Sequence, residues 1–261
     1  MAEKVSSVEK ALSILNCFDA EKQELSLAEI SRMLNAPKST ALNQICTLEN
    51  MGYLQRTEAG GTYRLGYKIM QLNYYVRAAQ PIVQYSSGIM EELKERSGAN
   101  VYLTSHIGGR VLYIDCVYHN KRSIAYSEAG KTLPMHCTSC GKAMLSYMSE
   151  ERVNAVIDRW GLKKSTENSI DSPERLFEEL KISRERGYAV DNEEESVGVR
   201  CVAAAIRSAS GEVAGALSIS GAAINMTEEV IRERAAMLIN AASELMPYAN
   251  LFPAIQLGEN R

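Results

Sequence analysis

The stretch from Ser26 to Arg64 constrains this chain more than any other. Ser26 and Glu29 form a capping-box pair, which predicts a helix start. Leu27, Ile30 and Leu34 repeat at helical spacing and give that helix one buried face. Asn35-Ala36-Pro37 stops it, and Pro37 suits the first turn of a second helix, where its missing N–H costs nothing. The second helix carries two stripes. Ala41, Leu42, Ile45 and Leu48 make an apolar one. Thr40, Asn43, Gln44 and Thr47 make a polar, uncharged one whose spacing places them on a single face. A merely solvated face would carry Glu and Lys, which form helices better than Asn and Thr. Asn and Gln amides can pair a donor and an acceptor with the major-groove edge of adenine, and Thr can offer its methyl to thymine. Gly52 closes the helix in the usual C-terminal position. Two short β-prone runs, 53–56 and 62–65, then flank Gly60-Gly61 as a hairpin. Helix, turn, helix and hairpin is the plan of a winged helix-turn-helix. On that plan the second helix enters the major groove and Arg56 or Arg64 of the wing meets phosphate. A helical scaffold with no DNA role is the bland alternative.

A length of 261 residues suggests two domains. The net charge of −3 argues at first against nucleic acid, but its distribution does not. Residues 1–80 hold 9 basic and 8 acidic groups (+1), and the remainder holds 20 and 24 (−4). Between 36 and 77 there are 5 basic groups to 2 acidic, so the weak positive charge lies on the reading helix, the wing and the helix after the wing. The opening Met-Ala-Glu-Lys-Val-Ser-Ser-Val-Glu has acids where a secretory signal has its apolar core. The longest run without a charge, 213–227, is 15 residues, too short to span a membrane. Six cysteines at irregular spacing read as reduced thiols rather than a disulfide frame. A cytoplasmic protein with no membrane partner is therefore expected.

Ser6 and Glu9 form a second capping-box pair, with Val8, Ala11, Leu12, Leu15 and Phe18 as the apolar face of a first helix. Residues 66–80 read as a helix ended by Pro81. Ile69, Met70, Leu72, Tyr74, Tyr75 and Val76 make it apolar on more than one side, which implies two partners: its own domain and a second chain. Residues 82–97 form a further helix, ended by Gly98. The periodicity then changes. Strands are expected at 101–103 and 111–114 around Gly108-Gly109, and at 123–129, 188–190, 199–207 and 212–220. Helices are expected at 138–148, 150–160, from Ser172-Pro173-Glu174 to Gly187, and from Thr227 to Met246. An acidic loop is expected at 191–195. Strands and helices mixed with several hairpins argue for an α+β domain with a mostly antiparallel sheet.

Ordered fragments along the chain resemble the IclR-type transcriptional regulators, named for the isocitrate lyase regulator. Ser7-Val8-Glu9-Lys10-Ala11-Leu12-Ser13-Ile14-Leu15 resembles the family's opening helix, Pro37-Lys38-Ser39-Thr40 the start of its recognition helix, and Tyr63-Arg64-Leu65-Gly66 the end of its wing. Leu133-Pro134-Met135-His136 with Gly141-Lys142-Ala143 resembles its effector-domain signature. The runs 186–194 and 198–204 resemble a second one. The resemblance implies a winged helix-turn-helix DNA-binding domain (1–66), a linker helix (67–81) and a GAF-like effector-binding domain (82–261). It implies a regulator, expected to be a repressor and not an enzyme, with no cofactor. Its partners would be double-stranded operator DNA, a small organic acid, and further copies of itself as a homodimer or dimer of dimers. DNA would be read by Lys38, Ser39, Thr40, Asn43, Gln44 and Thr47, with Arg56 and Arg64. By position in the family, the effector would meet Ser139, Cys140, Asp191, Val199, Cys201, Ser218 and Ser220. Elementary chemistry agrees with this. Ser139 and Cys140 sit where a helix begins and offers free N–H groups. Ser218 and Ser220 alternate on a strand and so share a face. Asp191 can accept from a ligand hydroxyl.

The chain departs from the family pattern in two places. The family often has a basic residue where Gln44 stands. Cys137 and Cys140 replace commonly small residues and create a Cys-x-x-Cys beside His136. A metal or thiol sensor is one alternative, although structural zinc takes four ligands and Cys116, Cys201, His106 or His119 could contribute only if the fold brings them close. A hydrolase with an appended DNA-binding domain is another, from the residue types Ser139, His136 and Asp191. No Gly-x-Ser-x-Gly elbow, phosphate loop or dinucleotide fingerprint is present.

Overall fold

The computed structural model describes residues 5–19, 21–58, 60–119 and 128–253. The chain divides into two compact units, Met1–Ala79 and Gln80–Arg261.

The first unit holds α1 (Ser6–Leu15), β1 (Leu25–Ser26), α2 (Leu27–Met33), α3 (Lys38–Asn50), β2 (Leu54–Arg56), β3 (Thr62–Leu65) and α4 (Lys68–Ala78). The capping box forms as the sequence predicts. Ser26 Oγ accepts from the Glu29 N–H, and Glu29 Oε2 accepts from the Ser26 N–H at 2.8 Å. Ser26→Ala is expected to cost about 1 kcal/mol, read as a lower urea midpoint for loss of helical circular dichroism in this unit. An unchanged midpoint would mean that Glu29 alone holds the helix start. Asn35 makes the turn between α2 and α3 with φ 47, a left-handed conformation that Asn tolerates better than most residues. At the far end of α3, Gly52 takes φ 79, and the N–H groups of Tyr53 and Gly52 donate to the carbonyls of Leu48 and Glu49 at 2.8 and 2.9 Å. These two bonds define a Schellman close. The core is Ile14, Cys17, Leu25, Ile30, Ile45, Leu48, Leu54 and Tyr63.

Four details differ from the sequence reading. Val5 rather than Ser6 caps α1, without a side-chain bond. The buried side of α1 is Ile14 with Cys17, while Val8 and Leu12 are both 55% exposed. Leu42 stands on the exposed side of α3. The wing also gains a third strand, because β1 pairs with β3 in the order β1-β3-β2. Two residues are too few to show an alternation, so nothing in the sequence marks β1. The expected strand at 123–129 lies largely outside the described residues.

The second unit holds α5 (Pro81–Ser97), β4 (Asn100–Ile107), β5 (Arg110–Val117), β6 (Thr132–Pro134), α6 (Ser139–Leu145), α7 (Glu150–Trp160), α8 (Pro173–Arg186), β7 (Ala189–Asn192), β8 (Val199–Arg207), β9 (Val213–Ala222) and α9 (Glu228–Leu245). Its sheet is wholly antiparallel in the order β6-β5-β4-β9-β8-β7. Strand alternation gives the sheet two different faces. Val101, Leu103, Val202, Ala204, Leu217 and Ile219 pack with α5 and α9. Ala189, Ala203 and Ala216 pack with α6, α7 and α8 on the other face. Small residues on the second face let α6 lie close to the sheet. α6 also lies close to the chain before it: a Cβ on Gly141 would sit 2.2 Å from the Met135 carbonyl oxygen. The expected acidic loop is tighter than its composition suggests, since Asp191 and Asn192 belong to β7 and Glu194 is buried. No helix among the described residues is long and apolar enough to cross a membrane.

Candidate functional site

In the first unit, the outward side of α3 presents Lys38, Ser39, Asn43 and Thr47, with Thr40 and Gln44 half-buried at its edges. Leu42 shares this side at 37% exposure. No acidic residue occupies the first turn. Thr47 donates its hydroxyl to the Asn43 carbonyl at 2.9 Å, and the residue is exposed. On the wing, Arg56 is braced. It donates to the Tyr63 hydroxyl at 2.9 Å, lies over that ring, and stands 3.8 Å from Glu49. Arg64, on the other strand, is exposed.

In the second unit, a cleft of about 440 Å³ opens on the sheet face that carries α6. β9 supplies Ser218 and Ser220, β8 supplies Val199 and Cys201, and β7 supplies Asp191. Thr138 and Ser139 come from the start of α6, Tyr102 from β4 and Tyr113 from β5. Antiparallel register sets Cys201 opposite Ser220 and Ala203 opposite Ser218. The Cys201 thiol donates to Ser220 Oγ at 3.1 Å. The rings of Tyr102 and Tyr113 meet edge to face, 5.4 Å apart. Thr138 Oγ1 donates to the Pro134 carbonyl and accepts from the Gly141 N–H, which fixes where α6 begins.

Asp191 is 3% exposed. Its Oδ1 accepts from the Glu194 N–H at 2.8 Å and more weakly from the Glu195 N–H. Burial nevertheless dominates and pushes its carboxyl up to about 7, the backbone donors only moderating the effect. Beneath it, Lys142 is 1% exposed and its ammonium bonds Glu194. Glu179 lies 3.9 Å away from that ammonium.

Six of the seven residues expected at the effector site therefore line one cleft. Cys140 does not: it is 1% exposed and packs in the core beneath α6. Tyr102, Tyr113, Thr138 and Glu195 also line it, beyond the residues the sequence points to. The alternation of Tyr102 with the core residues Val101 and Leu103 is the one signal available for the first of these. The metal and hydrolase alternatives gain no support. Among the described residues, no group of three or more His, Cys, Asp or Glu could hold a metal. Burial pushes the Cys137 thiol up to about 12, and it raises Cys140 as well. His136 places Nε2 3.1 Å from the Lys163 carbonyl, and among the described residues no hydrogen bond joins it to Ser139. A larger groove of about 580 Å³, bordered by α7 and α8, is lined by Met148, Val153, Phe177 and Leu180. It is a seam between helices whose border also carries Glu150, Asn154, Glu178, Lys181 and Arg184, and none of the residues expected at the effector site lines it.

Two family models match the chain. The IclR helix-turn-helix domain covers residues 7–58, and the C-terminal region of bacterial IclR transcriptional regulators covers 75–246. The chain is 35% identical to the HTH-type transcriptional regulator XynR of Escherichia coli, over 83% of this chain and 86% of that one. It is 30% identical to the acetate operon repressor of Salmonella typhimurium, over 93% and 89%. The crystal structure of IclR from Thermotoga maritima matches with a TM-score of 0.68 at 30% identity, covering 94% of this chain and 98% of that one.

Proposed function

The chain belongs to the IclR family of bacterial transcriptional regulators, and from that premise we propose that it is a repressor whose hold on operator DNA is modulated by a small organic acid in the cleft. One observation carries the proposal: hydroxyl groups from four elements and the buried Asp191 carboxyl converge on one space of ligand size. Helix geometry leaves the N–H group of Ser139 without an intrahelical acceptor, so it adds a donor for a carboxylate. The functional parts divide as 1–66 for reading DNA, 67–81 as linker helix and 82–261 for sensing. Regulation of transcription places the protein in the cytoplasm, and catalysis has no part in this role.

Lys38, Ser39, Thr40, Asn43, Gln44 and Thr47 read the operator, while Arg64 and Arg56 hold phosphate. The working form is a homodimer or a dimer of dimers. The 11-residue helix α4 supports this, for it buries no residue within its own chain. Met70 and Tyr74 on it are 67% and 68% exposed, which suits a helix covered by a second copy. Two half-sites about 34 Å apart then double the few base contacts one helix can make.

The test starts from a random duplex pool selected with the purified protein. Gln44→Ala and Asn43→Ala are each expected to cost about 1–3 kcal/mol on the selected site and to relax its sequence preference. Arg64→Ala is expected to weaken all duplexes alike and to lower the salt slope. Equal loss of selected and random DNA in the α3 variants would remove the stripe as a reader. A ligand that releases DNA must bind free protein more tightly than the DNA complex, by the same factor. Equal ligand affinity in titrations of the free protein and of its DNA complex would exclude control through the cleft.

A further inference from the structure

Resting on that reading of the cleft, we infer that its ligand is polyhydroxylated and carries at most one negative charge: a sugar acid or sugar, not a dicarboxylate or an aromatic acid. The lining is dominated by hydroxyls. Tyr102, Tyr113, Ser139, Ser196, Ser218 and Ser220 all contribute one, and the Asn100 amide joins them at the rim. Each hydroxyl both donates and accepts, so its natural complement is another hydroxyl. Ser218 and Asp191 are each 3% exposed, hence a ligand over them replaces what little water they touch. Asp191 Oδ1 keeps its two backbone donors in any case, but an aromatic ring would displace the remaining water and offer these groups no hydrogen bond in return, a cost for buried polar atoms.

Charge disfavours the dianion. Among the described residues, Glu128, Asp191 and Glu195 line the cleft against a single ammonium, Lys131. Lys131 already stands 2.9 Å from Glu128, and among the described residues no arginine lines the space. A second carboxylate on the ligand would face Glu128 and Glu195 with no cation among the described residues left to meet it. The volume, about 440 Å³, lies toward the small end of ligand pockets.

Calorimetric titration of the full chain with D-gluconate, D-galactonate, glucitol, succinate and benzoate tests this. At least one of the three polyols is expected to bind, and succinate and benzoate are not. Gluconate against glucitol separates an acid from a neutral polyol. Ser218→Ala combined with Ser220→Ala is expected to weaken the polyol about tenfold. Tyr102→Phe, which keeps the ring, is expected to weaken it a few-fold. Binding of succinate or benzoate, or no binding by any polyol, overturns the inference and leaves the cleft standing as an effector site. A polyol that binds with undiminished affinity to both variants overturns the inference and the cleft reading together.

Discussion

Replacing Lys142 by methionine is expected to destabilise the second unit by about 3–5 kcal/mol. Methionine keeps the length and packing of the side chain but removes the ammonium. Glu194 is then a buried carboxylate without its cation, and its Oε2 already lacks a hydrogen-bond partner among the described residues. Its Oε1 would retain only the Asn192 N–H, at 3.2 Å. The single tryptophan, Trp160, lies on α7 and reports this unit alone. Urea unfolding followed by its fluorescence at several pH values gives the measurement. Removing both charges, Lys142→Met with Glu194→Gln, is expected to recover most of the loss. A loss below about 1 kcal/mol for the single variant would mean that Glu194 reaches water when its partner is gone.

Asp191→Asn is expected to act in the opposite direction, stabilising the unit above neutral pH. Burial holds the Asp191 carboxyl near 7 in the folded chain, against 3.8 for the group in its ordinary setting. The folded state thus keeps its proton over a range where the unfolded state has released it. Stability from this group is full below the lower value and is lost as pH rises through the interval, to a total of about 4 kcal/mol. Asparagine cannot ionise and can still accept from the Glu194 N–H. The variant should match the parent near pH 4 and exceed it by a few kcal/mol at pH 8. The same Trp160 fluorescence reads it. Identical pH profiles would place Asp191 in a wetter setting than its burial implies.

Both predictions rest on groups whose setting no local pattern reveals. Lys142 stands out in sequence only as part of a family signature, with no local sign of burial; its partner Glu194 arrives 52 residues later. Local pattern is a better guide elsewhere. The Ser26–Glu29 cap, the close at Gly52 and the strand at 199–207 are each fixed by neighbours in sequence. Leu42, Val8 and Leu12 are misplaced by such a pattern because hydropathy names a stripe without saying which flank of it meets the core. Six cleft residues are legible by likeness to a family. Tyr113 is not, since its role depends on β5 lying beside β4. Cys140 falls outside the cleft because adjacent helical residues point about 100° apart, and Ser139 takes the side that faces it.

β8 and β9 carry two texts on one strand each. Ser218, Ser220 and Cys201 face the cleft, while Leu217, Ile219 and Val202 face the other core. Under mutation and selection the two sets can drift independently. On the proposed reading of the cleft, a change at alternate positions re-specifies the ligand without touching the residues that hold the sheet to α5 and α9. A shift of register by one residue would exchange the sets and destroy both. If the cleft senses as proposed, point substitution on these strands can change what is sensed, whereas an insertion within them cannot do so without breaking the core.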